Sequence, residues 1–247
     1  MKPALLLLLA FGVPAAAGQH RVVIDPGHGG GGDAGSQAAR SLSASNNATS
    51  PSGLLEKDLT LELSLEIKKQ IAALASAHRG TRIECVLTRT DDRNPDFAKR
   101  AAICAAGRIV PAAIVSIHFN ASTAHHSLGT LAMVHHKGVN PNYERDHAFA
   151  TGLTRATHAA VARFLPASVA RETIPDNHLH HGSGSNFFYQ LDLRPALKAV
   201  PKCFLEVEFI DRRDVDQQLL QHRQETFPVI ARAIAAFLYQ QCGQADD

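Results

Sequence analysis

Residues Arg21–Gly32 read RVVIDPGHGGGG. Val22 to Asp25 have the character of a short buried strand, and Pro26-Gly27 ends it sharply. Proline fixes φ and glycine accepts conformations that other residues avoid. His28 stands just past the break, ahead of four glycines. Ligands of open α/β sheets usually bind at the carboxyl ends of strands. His28 is therefore a candidate metal ligand or acid/base group, and a purely structural glycine turn is the competing reading. The glycines match neither GxxxxGK[ST] nor a GxGxxG opening a helix, so nothing here argues for a nucleotide.

Moving outward, Glu56 opens a helix, EKDLTLELSLEIKKQIAALASAHRG, with Leu59, Leu63, Ile67, Ile71 and Leu74 on one face and Gly80 at its end. A first-turn carboxylate is favoured by the helix dipole, and the carboxylate is the form that binds metal. Thr81–Arg89 alternates as a strand, and Asp96–Ala106 reads as a short helix. Pro111–His118, PAAIVSIH, is a continuous apolar run, as expected of a strand covered on both faces. His118 ends it as His28 follows the first strand. Leu128–His136 is a further strand and Tyr143–Phe164 a long helix; Leu165–Pro201 reads as irregular, with short elements. Cys203–Ile210, CFLEVEFI, is the last strand, and Phe227–Gln241 the closing helix. Period two places Cys203, Leu205, Val207 and Phe209 on one face of that strand, and Phe204, Glu206 and Glu208 on the other. Carboxylates in an apolar strand are costly to bury without metal, hydrogen bonds or a catalytic purpose. The alternation predicts a single α/β domain: a mixed, mostly parallel twisted sheet of about six strands with helices on both faces.

The chain has 247 residues, 45% of them hydrophobic, and a formal net charge of +2, with no long basic run. That argues against nucleic acid as a partner. Residues 1–17, MKPALLLLLAFGVPAAA, have the n-region, h-region and small-residue site of a secretory signal. The apolar run falls short of the ~20 residues of a spanning helix, so no stable membrane anchor is expected. The remaining 18–247 form one domain, exported, to the periplasm or beyond. Cys85, Cys104, Cys203 and Cys242 permit two disulfides or serve as small buried residues. Histidine is abundant at 14, with clusters at His125-His126, His135-His136 and His178 to His181, which makes metal chemistry worth testing.

His28, Glu56, His118 and Glu206 each stand at a strand end, a helix start or in an apolar strand. Together they make two histidines and one glutamate, the ligand set of a catalytic zinc site, plus a second carboxylate to move the proton of a metal-activated water.

VVIDPGHGG, GLLEKDLTLEL, VLTRTDD with Arg100, IVSIHFNAS and PKCFLEVEFI occur in the order and spacing of the zinc-dependent N-acetylmuramoyl-L-alanine amidases of bacterial peptidoglycan, which this chain resembles from about Arg21 to its last helix. The resemblance implies one Zn2+ per chain on His28, Glu56 and His118, with Glu206 catalytic. It implies hydrolysis of the amide between the lactyl group of N-acetylmuramic acid and L-alanine of the stem peptide, in cell-wall remodelling or cell separation. Peptidoglycan or muropeptides are then the partner of an expected monomer, with an activator protein as a further candidate partner. Asn120, Arg89, Arg100 and Glu208 are candidates for substrate binding, as are Arg171 and Arg194. Glu208 stands where the family usually has glycine, and Cys104-Ala105 where it often has Ala-Asn. The competing functions are an exported zinc peptidase or carboxypeptidase on the same polymer, and a wall-binding module that does not cut.

Overall fold

The computed structural model describes residues 18–31, 43–77, 81–178 and 185–243. The expected signal segment, Gly80, and His180 and His181 lie outside them. Six strands, β1 (Gly18–Pro26), β2 (Thr81–Leu87), β3 (Ala113–Asn120), β4 (Leu131–Val134), β5 (Ile174–Pro175) and β6 (Lys202–Phe209), form one sheet in the order β2-β1-β3-β6-β4-β5. Neighbours run parallel except β4 against β6. The helices are α1 (Glu56–Ala77), α2 (Phe97–Ala105), α3 (Tyr143–Val161), α4 (Asn186–Asp192), the single turn α5 (Arg213–Val215) and α6 (Arg223–Gly243).

Each face of the sheet buries its own cluster. On one side Val22, Ile24, Val115, Ile117, Leu205 and Val207 pack against the apolar stripes of α1, α3 and α6. On the other, Val23, Ile114, Met133 and Phe204 meet Ala101 and Cys104 of α2 and Phe187, Phe188 and Leu191 of α4. The apolar runs of β1, β3 and β6 follow from this, because a strand covered twice has no polar face. It is the single domain and helix-covered sheet expected from the alternation.

Four features refine the expectation. The segment read as irregular holds β5 and α4; both are too short to show a period. The closing helix begins at Arg223, ahead of the expected Phe227, so Pro228 lies deeper inside it. Of the two readings of the cysteines the buried one holds: Cys85, Cys203 and Cys242 lie in one apolar cluster and Cys104 in the other. In β6 a bulge opposite His118–Asn120 breaks the alternation, and Phe209 joins Phe204 on the α2/α4 face instead of Leu205 and Val207.

Candidate active site

Parallel pairing brings the carboxyl ends of β1, β3 and β6 together: Pro26 stands beside Ile117, and His118 beside Glu206. Past Pro26 the chain turns through His28 at φ 60° and Gly29 at φ 130°. A non-glycine residue in the left-handed region costs roughly 1–3 kcal/mol and persists only where its surroundings hold it. Two buried arginines do so. Arg100 donates to the Asp25 carboxylate and the Pro26 carbonyl at 2.7 Å each, and to the His28 carbonyl at 2.7 Å. Arg89 donates to the carbonyls of Pro26, Gly27 and Lys57 at 2.7–3.0 Å. Burial, with Arg100 nearby, lowers the Arg89 pKa to about 10, so it remains charged at neutral pH.

These placements correct a sequence expectation. Arg89 and Arg100, read as substrate-binding candidates, lie under the turn, 4% and 1% exposed, with their donors directed at the chain itself. Asp25, at the end of β1, accepts from Thr88, Ser116 and Arg100. Burial alone would raise its pKa, but Arg100 and the two hydroxyls outweigh that and hold it below the usual carboxylate range. Two of the glycines have a steric cause. A Cβ on Gly27 would stand 2.4 Å from the His118 ring, and one on Gly29 would stand 2.4 Å from the Arg93 carbonyl.

The turn sets the His28 ring over the start of α1. Its Nδ1 donates to the Ala44 carbonyl at 2.8 Å, which leaves the Nε2 lone pair facing inward, 3.0 Å from Glu56 Oε1. Glu56 is 1% exposed; the Glu56 N–H donates to the Ala48 carbonyl at 2.9 Å, which fixes where α1 begins. His118 Nδ1 lies 3.1 Å from the same Oε1, which also accepts the Phe119 N–H. Burial would raise the Glu56 pKa, but His118 and His28 hold it down to about 2, so it is a carboxylate at any working pH.

One ligand atom from each of His28, Glu56 and His118 lies within 4.8 Å of the others. His28 Nε2 and Glu56 Oε2 are buried without a hydrogen-bond partner. Lone pairs converging from two imidazoles and a carboxylate, with orphaned donor atoms among them, fit a small borderline cation such as zinc.

Glu206 projects from β6 next to His118. It is 7% exposed, and its Oε2 is buried with no hydrogen-bond partner. Burial pushes its pKa up to about 7; the His118 ring counters this and Glu56 adds to it. A carboxylate with that pKa beside a cation site suits general acid–base work at neutral pH. Glu208, two residues on, points elsewhere and is fully hydrogen-bonded, accepting from Gly129 N–H, Phe209 N–H and Ser168 Oγ. Its place is structural, not against a substrate. Asn120 caps the end of its own strand, its Oδ1 accepting the Ala121 N–H at 2.8 Å. Arg171 donates to the Leu128 carbonyl and lies over the Phe209 ring, and Arg194 donates to the Ala98 carbonyl. The Ala44 carbonyl escaped sequence reading, because a backbone acceptor carries no residue signature.

A strand-end imidazole pair and a helix-start carboxylate make a possible metal site, with an unpaired second carboxylate beside it. The chain belongs to the N-acetylmuramoyl-L-alanine amidase family, whose model matches residues 22–238, and it is an enzyme of that class. Solved structures of the same fold include the catalytic domain of CwlV from Bacillus (Paenibacillus) polymyxa var. colistinus, at TM-score 0.59 and 19% identity over 90% of this chain and 97% of that one. AmiC2 of Nostoc punctiforme matches at TM-score 0.59 and 24% identity, over 91% and 98%. The CwlD amidase of Clostridioides difficile, solved in complex with the GerS lipoprotein, matches at 0.60 and 18%, over 92% and 100%. No curated protein sequence matches the chain. Among the described residues no helix is long and apolar enough to cross a membrane.

Proposed function

We propose that this chain is a zinc-dependent amidase that hydrolyses the bond between the lactyl group of N-acetylmuramic acid and L-alanine of the peptidoglycan stem. His28, Glu56 and His118 hold one zinc ion, and Glu206 is the general acid/base. The observation that carries this reading is the unpaired, buried Oε2 of Glu206 beside the three-residue cluster. A zinc ion held there supplies Lewis acidity, polarising the scissile carbonyl and lowering the pKa of water towards ~7.

The chain's own residues do the rest. Ala44 keeps the proton on His28 Nδ1, so that Nε2 remains a ligand. Arg89 and Arg100 hold the carbonyls of the left-handed turn, which fixes where that ring stands. The Glu206 carboxylate takes a proton from the attacking water and gives it to the alanine nitrogen as the C–N bond breaks. The products are a free lactyl carboxylate and a free amine.

Residues 1–17 serve as the export signal and 18–247 as the catalytic domain, which acts outside the cytoplasm in wall remodelling or cell separation. A protein activator fits the same reading, since a structural relative was solved with a lipoprotein bound.

Mass spectrometry of digested peptidoglycan tests it. Free stem peptides with an L-alanine amino terminus are expected, and they should vanish on chelation and return with zinc. Shortened stems still attached to sugar would assign the chain to a peptidase instead.

A further inference from the structure

A second group of ligand-type side chains stands away from the site above, where β4 and β5 end. Val134 and Pro175 are register partners, so the residues that follow them leave the sheet side by side. Those residues are His135, His136 and Asp176, and one ligand atom from each lies within 4.8 Å of the others. His136 Nδ1 is 3.0 Å from Asp176 Oδ1, and the two imidazoles stand perpendicular with centroids 5.1 Å apart. β4 runs antiparallel to β6, with Leu131 beside Glu206 and Met133 beside Phe204. The cluster therefore lies towards the amino end of β6, away from the carboxyl end that leads on from Glu206.

We propose that His135, His136 and Asp176 form a second site for a divalent transition metal, zinc being the ion of choice. Two imidazoles and a carboxylate suit a borderline ion and not calcium or magnesium, which take oxygen ligands. The surroundings orient these side chains as ligands. His135 Nδ1 lies 2.7 Å from Asp192 Oδ2, and the buried Lys202 ammonium holds the other oxygen of that carboxylate at 3.2 Å. The negative charge of Asp192 keeps the proton on Nδ1 and leaves Nε2 with the lone pair, the tautomer that binds metal. Phe188 stacks on the His135 ring at 5.7 Å and fixes its plane.

Asp176 is held in turn by the N–H groups of His136 and Ser185. A hydrogen-bonded pair of His136 and Asp176 would account for one imidazole; it does not account for the second, already oriented by a different carboxylate and turned towards the first. His135 is 4% exposed and the His136 side chain 18%, so the group is recessed yet has an edge through which an ion can enter. Metal there would tie the end of β4 to the segment that leads into α4, whose Phe188 packs on Phe204.

The test is zinc stoichiometry by elemental analysis on the full chain, loaded with zinc and desalted, with far-UV circular dichroism on each variant. The expected ratios are two zinc per wild-type chain, one in Glu56→Ala, one in His136→Gln and none in the double variant. One zinc in wild type and none in Glu56→Ala would overturn the second site while leaving the catalytic one intact. One zinc in wild type that survives Glu56→Ala but not His136→Gln would support this site and sink the catalytic assignment. An ion that survives the double variant binds elsewhere and overturns the proposal. If His136→Gln does not fold, Asp176→Asn replaces it in every comparison. Cobalt loaded into Glu56→Ala provides an independent readout, a visible d–d band that His136→Gln or Asp176→Asn abolishes.

Discussion

Glu206 and Glu208 leave the same strand two residues apart and meet opposite surroundings. Both are buried, and burial raises the pKa of each. Glu208 is met by three donors, from Gly129, Phe209 and Ser168, whereas Glu206 has an oxygen with no partner at all. A buried carboxylate with both oxygens hydrogen-bonded belongs to the architecture. One left unanswered beside converging metal-type ligands is free to exchange a proton. Chemical identity and spacing do not separate them; the neighbours do.

The contrast breaks first at Glu206. Replacing it with Gln is expected to lower kcat by roughly a hundred- to ten-thousand-fold, the usual range for a general acid–base group, while bound zinc is retained. Kinetics on muropeptides and elemental analysis check this. An active Glu206→Gln alongside a dead Glu208→Gln would invert the assignment.

At Glu208 the large effect should be on stability. Glu208→Ala strands two N–H groups and a hydroxyl, and a loss of roughly 3 kcal/mol is expected in urea unfolding. Glu208→Gln keeps an acceptor for the N–H pair and should cost far less.

That variant also exposes the titration. Glu208 has a folded pKa above its ordinary value. Its stabilising contribution is therefore complete below the unfolded carboxylate pKa of about 4.3, and it is lost as pH rises through the raised folded value. Wild type should lose stability relative to Glu208→Gln as pH rises from the unfolded carboxylate value of about 4.3 through the raised folded one. Parallel curves would show that the donors cancel the cost of burial.

The smallest effect is expected at Ser168. Removing its hydroxyl in Ser168→Ala takes one of the three donors from Glu208 and should cost about 1 kcal/mol, with kcat unchanged.

Much of this was legible beforehand because strand ends announce themselves. The apolar run PAAIVSIH stops at His118, Pro26-Gly27 breaks the first strand just before His28, and a helical stripe begins at Glu56. Each feature is local, and parallel pairing then brings the ends together. The arginines were misread because a long side chain gives no sign of which way it points. Arg89 and Arg100 turn inward to the carbonyls of Pro26, Gly27 and His28, where β1 ends and the turn begins. Asp176 went unnoticed because its partners, His135 and His136, are some forty positions earlier in the chain, joined to it only by the pairing of β4 with β5.

By itself the sequence determined the α/β alternation, the single domain, the strand-end histidines and the resemblance to the amidases, since these rest on periodicity, breaks and motifs carried within a few residues. Only the tertiary structure decided which carboxylate of β6 is left unpaired, why Gly27 cannot bear a side chain, and what holds His28 at positive φ. Those outcomes depend on donors and rings supplied by β3, α1, α2 and the 128–130 and 168 segments, which are remote in the chain. Pairing and packing alone bring them within hydrogen-bonding distance.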